Sequence, residues 1–304
     1  MAVGLAGASG LIGGGVFARL SRRRNVLRIG RRSQCEIRAD FSQPASLADL
    51  PLNGLEAIVY CAGIVDEDFK ADPARAYLQN TVGFSAFVKR VLDCGVPCFV
   101  YLSSAHVYGP LEGQLRESSP VNPLGDYALA HYAAEQILRR NCGTGRLQGL
   151  VLRPCAVFGV PESIETFDRW SLIPYSFPRE AVQNSAIVLR SSGEQGRNFI
   201  SIADLALYVE KFLDDRGGFG AFTVVNPVGP QTFSVYEFAR KCARTTTKLT
   251  GKDCPVHRPA TSASDGAADF AYLTDYPYHR STDGVEDYLE AMIHYFLSST
   301  ASIR

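Results

Sequence analysis

The segment AVGLAGASGLIGGGVFARL, residues 2–20, narrows the choice of fold more than any other part of the chain. A short apolar run at 2–6 leads into Gly7, Gly10 and Gly13, and an apolar stretch with helical spacing follows. Glycines spaced in this way permit a tight turn and let a phosphate group approach the backbone N–H groups at a helix N-terminus. The segment therefore predicts a strand, a turn and a helix, with Gly7, Ser9, Gly10, Leu11, Ile12 and Gly13 facing a dinucleotide. The pattern is G-x-x-G-x-x-G rather than the G-x-G-x-x-G fingerprint, so its context matters more than its spacing. No basic residues precede the apolar run, as they would in a signal peptide, and a cytoplasmic protein is expected.

Further apolar runs at 25–29, 57–60, 98–102 and 149–153 alternate with helix-like segments. That alternation predicts an α/β protein built on a doubly wound parallel sheet. A helix over 74–93 would bury Ala76, Val82, Phe87 and Val91, and another over 127–140 would bury Tyr127, Ala130, Ala134 and Leu138. After residue 153 the sequence becomes rich in proline and turns. A strand near 186–190, a helix near 203–214 and a closing helix over 284–297 follow, with a polar, small-residue stretch at 248–268. The reading is a dinucleotide-binding domain over 1–153, to which elements near 186–225 return, and a smaller lobe drawn mainly from 154–304.

Lysine and arginine number 31 and so do aspartate and glutamate, which leaves no net field to hold a polyanion and makes nucleic acid a poor partner. The eight cysteines form no C-x-x-C pair and several sit in apolar stretches, so reduced, buried thiols are expected and no metal site. No apolar stretch is long enough, free of charge and of glycine, to span a membrane.

At the end of the second strand an acid would suit a ribose 2′-hydroxyl, whereas a 2′-phosphate needs arginine. Here Gly30 is followed by Arg31 and Arg32, with no acid between Asn25 and Gln34, so NADP(H) is favoured and NAD(H) is the alternative. A solvated basic edge would carry the same arginines. The strand at 98–102 ends at Ser103 and Ser104, at the sheet edge where open α/β folds bind ligands. Tyr127 opens a helix and His131 follows one turn later on the same face.

In this order the motifs resemble the extended short-chain dehydrogenase/reductase superfamily, and more narrowly its NAD(P)-dependent epimerase/dehydratase branch acting on nucleotide sugars. The likeness runs through GASGLIG at 7–13, Asp40, YCAG at 60–63, Asn80, LSSAHVYG at 102–109, YALAH at 127–131, LRPCAVFG at 152–159 and GRNFISIADLA at 196–206. It implies a Rossmann domain and a set of roles. Asp40 would contact adenine; Ala62, Gly63, Asn80 and Pro154 would line the cofactor; Ser104 would hydrogen-bond substrate. Tyr127 would be the acid/base and Arg197 a ligand of the substrate diphosphate.

The chain departs from the family pattern at three places. The family's Tyr-x-x-x-Lys is Tyr127-x-x-x-His131 here, and none of Lys70, Lys89, Lys211, Lys241, Lys248 and Lys252 follows a tyrosine at that spacing. In the family that lysine holds the nicotinamide ribose and lowers the tyrosine pKa. His131 would take its place, orienting the ribose as a catalytic and cofactor-binding residue, but with an ordinary pKa it would be only roughly a quarter cationic at neutral pH and activate the tyrosine more weakly. Ser104-Ala105-His106 stands where sugar dehydratases carry Thr-Asp-Glu, which disfavours water loss and leaves His106 to face substrate or serve the fold. Ala156 replaces an asparagine that contacts the nucleotide. The expectation is an oxidoreductase acting on a nucleotide sugar, either epimerase or 4-ketoreductase; the alternative is a non-catalytic sensor of NADP(H). A homodimer is compatible with the helices at 74–93 and 127–140, although their outer faces show no decisive apolar stripe in the sequence.

Overall fold

The computed structural model describes residues 2–162, 164, 167–259, 269–277 and 284–301. Its first half alternates strands and helices: β1 (Ala2–Ala6), α1 (Leu11–Leu20), β2 (Asn25–Gly30), β3 (Ile37–Arg38), β4 (Leu55–Tyr60), α2 (Asp66–Ala71), α3 (Pro73–Leu78), α4 (Phe84–Asp93), β5 (Cys98–Leu102), β6 (Gly113–Leu115), α5 (Gly125–Cys142) and β7 (Gln148–Leu152). There follow β8 (Ala156–Phe158), α6 (Ile173–Gln183), β9 (Ile187–Val188), β10 (Gly196–Ser201), α7 (Ile202–Asp214), β11 (Phe222–Val225), β12 (Gln231–Ser234), α8 (Val235–Thr250), β13 (Val256–His257), β14 (Phe270–Tyr272) and α9 (Val285–Ala301).

Seven strands form one sheet in the order β11-β7-β5-β4-β1-β2-β3, and every neighbouring pair is parallel. The central strands are apolar throughout because both sheet faces are covered. On one face Phe84, Phe87, Val88 and Val91 of α4 and Ala134 and Leu138 of α5 pack on Ile58, Tyr60, Phe99 and Tyr101. On the other, Val16 and Leu20 of α1 and Leu205, Val209 and Phe212 of α7 pack on Val3, Leu5, Val59 and Val100. Chain direction across the sheet reverses between β1 and β4, and in such folds ligands bind in the crevice beyond the strand ends at that switch point.

The second lobe holds a three-stranded sheet, β12-β10-β8, the β13-β9 pair and helices α6, α8 and α9 around their own core. The strand expected near 186–190 is β9; it pairs with Val256 and His257 and does not rejoin the large sheet, nor does β10. What returns is α7 and β11, the latter pairing with β7.

The helix expected over 74–93 is interrupted. Residues Gln79–Gly83 form a π turn between α3 and α4. The extra residue in that turn rotates the register, so Asn80 and Gly83 face inward while Val82 is 53% exposed, contrary to its expected burial. The stretch LIPYSFPRE is mostly helical rather than turn: Pro174 occupies the first turn of α6, where a missing N–H is harmless, and Pro178 lies inside. The polar stretch at 248–268 contains the end of α8 and β13; residues 260–268 lie outside the described part. All eight cysteines are free thiols, and among the described residues no helix is long and apolar enough to cross a membrane.

Candidate active site

The β1–α1 turn is built for close approach. Gly7 has φ +80°, a left-handed value, and a Cβ there would lie 2.6 Å from the Ala62 amide nitrogen. A Cβ on Gly13 would lie 2.1 Å from the Gly7 carbonyl oxygen, so α1 starts directly against the turn. Helix α1 has Gly10 as its N-cap, no side-chain cap and no acid in its first turn. Its first N–H groups, at Leu11 and Ile12, are therefore left to an outside acceptor, which suits a pyrophosphate. Ser9 and Gly10 are exposed at this rim, and Ala62 and Gly63 form the opposing wall after β4. These residues fit a dinucleotide.

Beyond β2, Arg31 and Arg32 are exposed. The nearby acid Glu36 is committed to Arg28, which it meets at 2.6 Å. Asp40 is half-buried, which opposes its ionisation. Hydrogen bonds from the Ser42 hydroxyl (2.7 Å) and amide (3.0 Å), helped by the charges of Arg31 and Arg75, outweigh burial and hold the carboxyl below its usual range.

Two residues expected in the cofactor wall make bonds within the protein. Asn80 is 0% exposed, and its Nδ2 donates to the Ala130 carbonyl at 2.9 Å, tying the π turn to α5. Pro154 is buried and its carbonyl accepts from the Ala105 amide at 2.9 Å, which fixes the loop after β5.

That loop carries Ser104, whose Oγ accepts from the His106 amide at 3.2 Å and lies near enough to the Tyr127 phenol to act on its ionisation. Tyr127 projects from the first turn of α5 and is half-buried. Burial pushes its phenol up; Ser104 and the charge of Arg169 act downward, and Asp66 acts upward. His106 stands 6.2 Å from the Tyr127 ring. Its surroundings and the charge of Arg197 lower its pKa against the pull of Asp66. Arg197 is half-buried and donates to its neighbour's carbonyl, Gly196, at 2.7 Å, and its charge reaches His106.

His131 does share a face with Tyr127, the rings meeting edge to face at 4.5 Å. It is only 3% exposed, however, and burial pushes it down to about 4. The neutral ring donates to the Ile64 carbonyl and accepts at Nδ1 from the Tyr101 hydroxyl at 2.8 Å. Both polar atoms are thus engaged within the protein, which is at odds with the expected ribose-orienting role. Beneath the site, Glu135 of the same helix accepts from Ser103 at 2.5 Å and from Arg153 at 2.5 and 3.0 Å. This buried pair locks α5 to the ends of β5 and β7.

Tyr101, bonded to His131, and Asp66 and Arg169, whose charges act on Tyr127, were not singled out from the sequence. Tyr101 lies in an apolar strand, and the alternation of side chains places it under α5. Asp66 and Arg169 carry no motif and are joined only by packing of the two lobes.

Residues 3–224 match the model of the NAD dependent epimerase/dehydratase family. A UDP-glucose 4-epimerase of Vibrio cholerae is 31% identical over 119 residues, 36% of this chain and 36% of that protein. The chain thus spans about a third of that relative's length. Among solved structures, MoeE5 in complex with UDP-glucose and NAD superposes with TM-score 0.80 at 21% identity, covering 99% of this chain and 100% of that one. RMD from Pseudomonas aeruginosa, complexed with NADPH, gives 0.78 at 20% identity over 98% and 99% of the two chains. Such low identities speak for the fold, while the family match extends from β1 into β11 and takes in the glycine turn, the Ser104 loop and Tyr127. The chain belongs to the NAD dependent epimerase/dehydratase family.

Proposed function

We propose that the protein is an NAD(P)-dependent oxidoreductase acting on a nucleotide sugar, as a 4-ketoreductase or an epimerase, with Tyr127 as acid/base. The observation that carries this reading is the placement of Ser104, after β5, and Tyr127, in the first turn of α5, together at the carboxyl edge of the sheet, across the switch point from the glycine turn. A bound nicotinamide would supply hydride exchange at a sugar carbon. Tyr127 takes the hydroxyl proton when the carbon is oxidised and returns it when the carbon is reduced, and Ser104 holds the same oxygen by a hydrogen bond. Gly7, Ser9, Gly10, Leu11, Ile12, Gly13, Ala62 and Gly63 would hold the dinucleotide. The exposed Arg31, with Glu36 occupied by Arg28, favours a 2′-phosphate and hence NADP(H), as in the RMD complex. Arg197 would meet the substrate diphosphate, and His106 would stand beside the sugar. The Ser104-Ala105-His106 loop offers no carboxylate for dehydration.

The competing reading, a sensor that binds NADP(H) without turnover, is favoured by one observation: His131 is buried and uncharged. Tyr127→Phe separates the two. As an enzyme, the variant should lose turnover of nucleotide 4-keto sugars by two orders of magnitude or more, on the scale of general acid/base catalysis, and keep its affinity for NADPH. Unaltered turnover would refute the acid/base role. Leu78, Val82 and Leu129 are 37%, 53% and 47% exposed on the helices around the π turn and α5. They supply the apolar outer face that the sequence did not disclose and make this the face for a homodimer. A cytoplasmic location accords with eight free thiols.

A further inference from the structure

The two lobes meet in two different ways. On the side of the glycine turn the contact is apolar: Leu11 of α1 packs against the core of the small lobe, and Val157 of β8 against the core on the α1 face of the large sheet. On the side of α2 the contact is polar. The Ser171 hydroxyl donates to the Glu67 carboxylate at 2.8 Å, and Arg169 Nη2 stands 4.0 Å from the other oxygen of that carboxylate.

Each side of this polar contact is anchored in its own lobe. Phe167, Trp170 and Leu172 pack against the small lobe's core, with the Trp170 ring 4.6 Å from Phe167 and 5.5 Å from Phe296. Phe69 of α2 clusters with Ile64, Ala76 and Ala130, and Tyr127 packs against that cluster. Among the described residues no apolar side chain of 167–172 enters the cluster around Phe69, and none of α2 enters the small-lobe core. The segment 167–172 is thus a strap held to α2 by polar contacts, and the Glu67 side chain is 49% exposed, so water can take its partner's place. One hydrogen bond to a charged group, with an ion pair at its outer limit, is strong enough to keep such a strap docked and weak enough to release it. The strap is also not drawn tight. Arg169 Nε is buried with no hydrogen-bond partner among the described residues, an uncommon state for a guanidinium N–H.

We propose that Glu67, with Ser171 and Arg169, is the catch of a gate over the cleft between Tyr127 and Arg197, which a nucleotide sugar must pass to enter and to leave. The gate rests on the reading of that cleft as the nucleotide-sugar site. Release of the strap lets the small lobe swing about the apolar contacts of Leu11 and Val157; docking closes the cleft, and a tighter docking spends the spare donor of Arg169 on Glu67.

Trp170 is the only tryptophan of the chain, and tryptophan emission overlaps the absorption of a reduced nicotinamide, so energy transfer from Trp170 to bound NADPH follows the separation of strap and large sheet. Glu67→Ala and Ser171→Ala break the same hydrogen bond from opposite lobes, which guards against a folding defect in either. Both should lower the transfer, and Glu67→Gln, which keeps an acceptor for Ser171, should lower it less. Stopped-flow mixing with UDP-glucose as the probe then reads the gate. A gate shut in the free and the bound protein slows both directions alike, so association and dissociation should both quicken about tenfold, the weight of one hydrogen bond to a charged group, with little change in affinity. Unaltered transfer overturns the catch. Lowered transfer with unaltered exchange rates makes the contact a passive tie and overturns the gate, as does faster dissociation at an unchanged association rate, which would mark Glu67 as a ligand contact. If neither wild type nor variants bind UDP-glucose, the nucleotide-sugar reading fails and the gate with it, while lowered transfer would leave the catch between the lobes standing.

Discussion

Replacing His131 by glutamine removes one titrating group from the centre of the protein while keeping an acceptor for the Tyr101 hydroxyl and a donor for the Ile64 carbonyl. The imidazole pKa is about 4 in the fold, against 6.5 for an unperturbed histidine. The folded value is the lower one, so the stability tied to the neutral ring is fully present above pH 6.5 and is lost as pH falls toward 4, where the folded state also takes up the proton. At about 1.4 kcal/mol per pH unit this linkage amounts to about 2 kcal/mol at pH 5 and about 3 kcal/mol at pH 4. Urea unfolding at pH 7.5, 5 and 4 measures it, read as the difference between wild type and His131→Gln so that all other titrating groups cancel. The gap between the two proteins should close, or reverse, by about 3 kcal/mol over this range. Parallel pH dependences would mean that the ring titrates normally in the fold, and a cationic histidine beside Tyr127 would then regain its place in the mechanism.

The remaining tests concern the cofactor turn and the buried pair. Gly13→Ala forces a Cβ to within 2.1 Å of the Gly7 carbonyl, whereas at Gly10 the nearest atom is 3.4 Å away. Overpacking of about 1–3 kcal/mol at the first position should lower NADPH affinity about tenfold or more, with little change at the second; equal effects in fluorescence titrations would contradict the geometry. Arg31→Asp should lower the ratio of NADPH to NADH affinity about tenfold or more, by removing a charge-assisted hydrogen bond and adding a ribose acceptor. An unchanged ratio would make the arginine a solvated edge. Glu135→Gln leaves the buried Arg153 without its 2.5 Å carboxylate partner and should cost about 3–5 kcal/mol in denaturant unfolding, where a loss below about 1 kcal/mol would show that the pair is dispensable.

The parts of the site carried by local sequence were legible. The glycine turn sits where a strand meets a helix, and Ser104 and Tyr127 lie at the end of one element and the start of another, positions that periodicity marks. The charge state of His131 was not legible, because it depends on which core surrounds the ring rather than on its distance from Tyr127. Val82 was expected in the core until the π turn rotated the register, and a single inserted residue leaves no clear trace in hydrophobic spacing. Arg169 reaches Glu67 of α2 only through packing of the two lobes, which no local pattern records. Helix α8 was not expected, although the sequence carries its start signal, the S-x-x-E of the reciprocal Ser234–Glu237 capping box with bonds of 3.1 and 2.7 Å. Pro178 hid α6 in the opposite way, by resembling a breaker where tertiary packing sustains a helix.

The path of the chain between the lobes bears on how such a protein can be taken apart or recombined. It leaves the large sheet after β7, comes back at α7 and β11, and leaves again before β12. A fragment ending at residue 153 would therefore lack both the strand that closes the β7 edge and the helix that contributes Leu205, Val209 and Phe212 to one face of the sheet. An unpaired edge beside an uncovered apolar face is a template for aggregation. The large-sheet half is thus not a cassette that can be excised and fused to a new partner. A change of substrate has to be made by exchanging the segments that run out from the sheet, each with its ends pinned, while the seven strands stay in one chain.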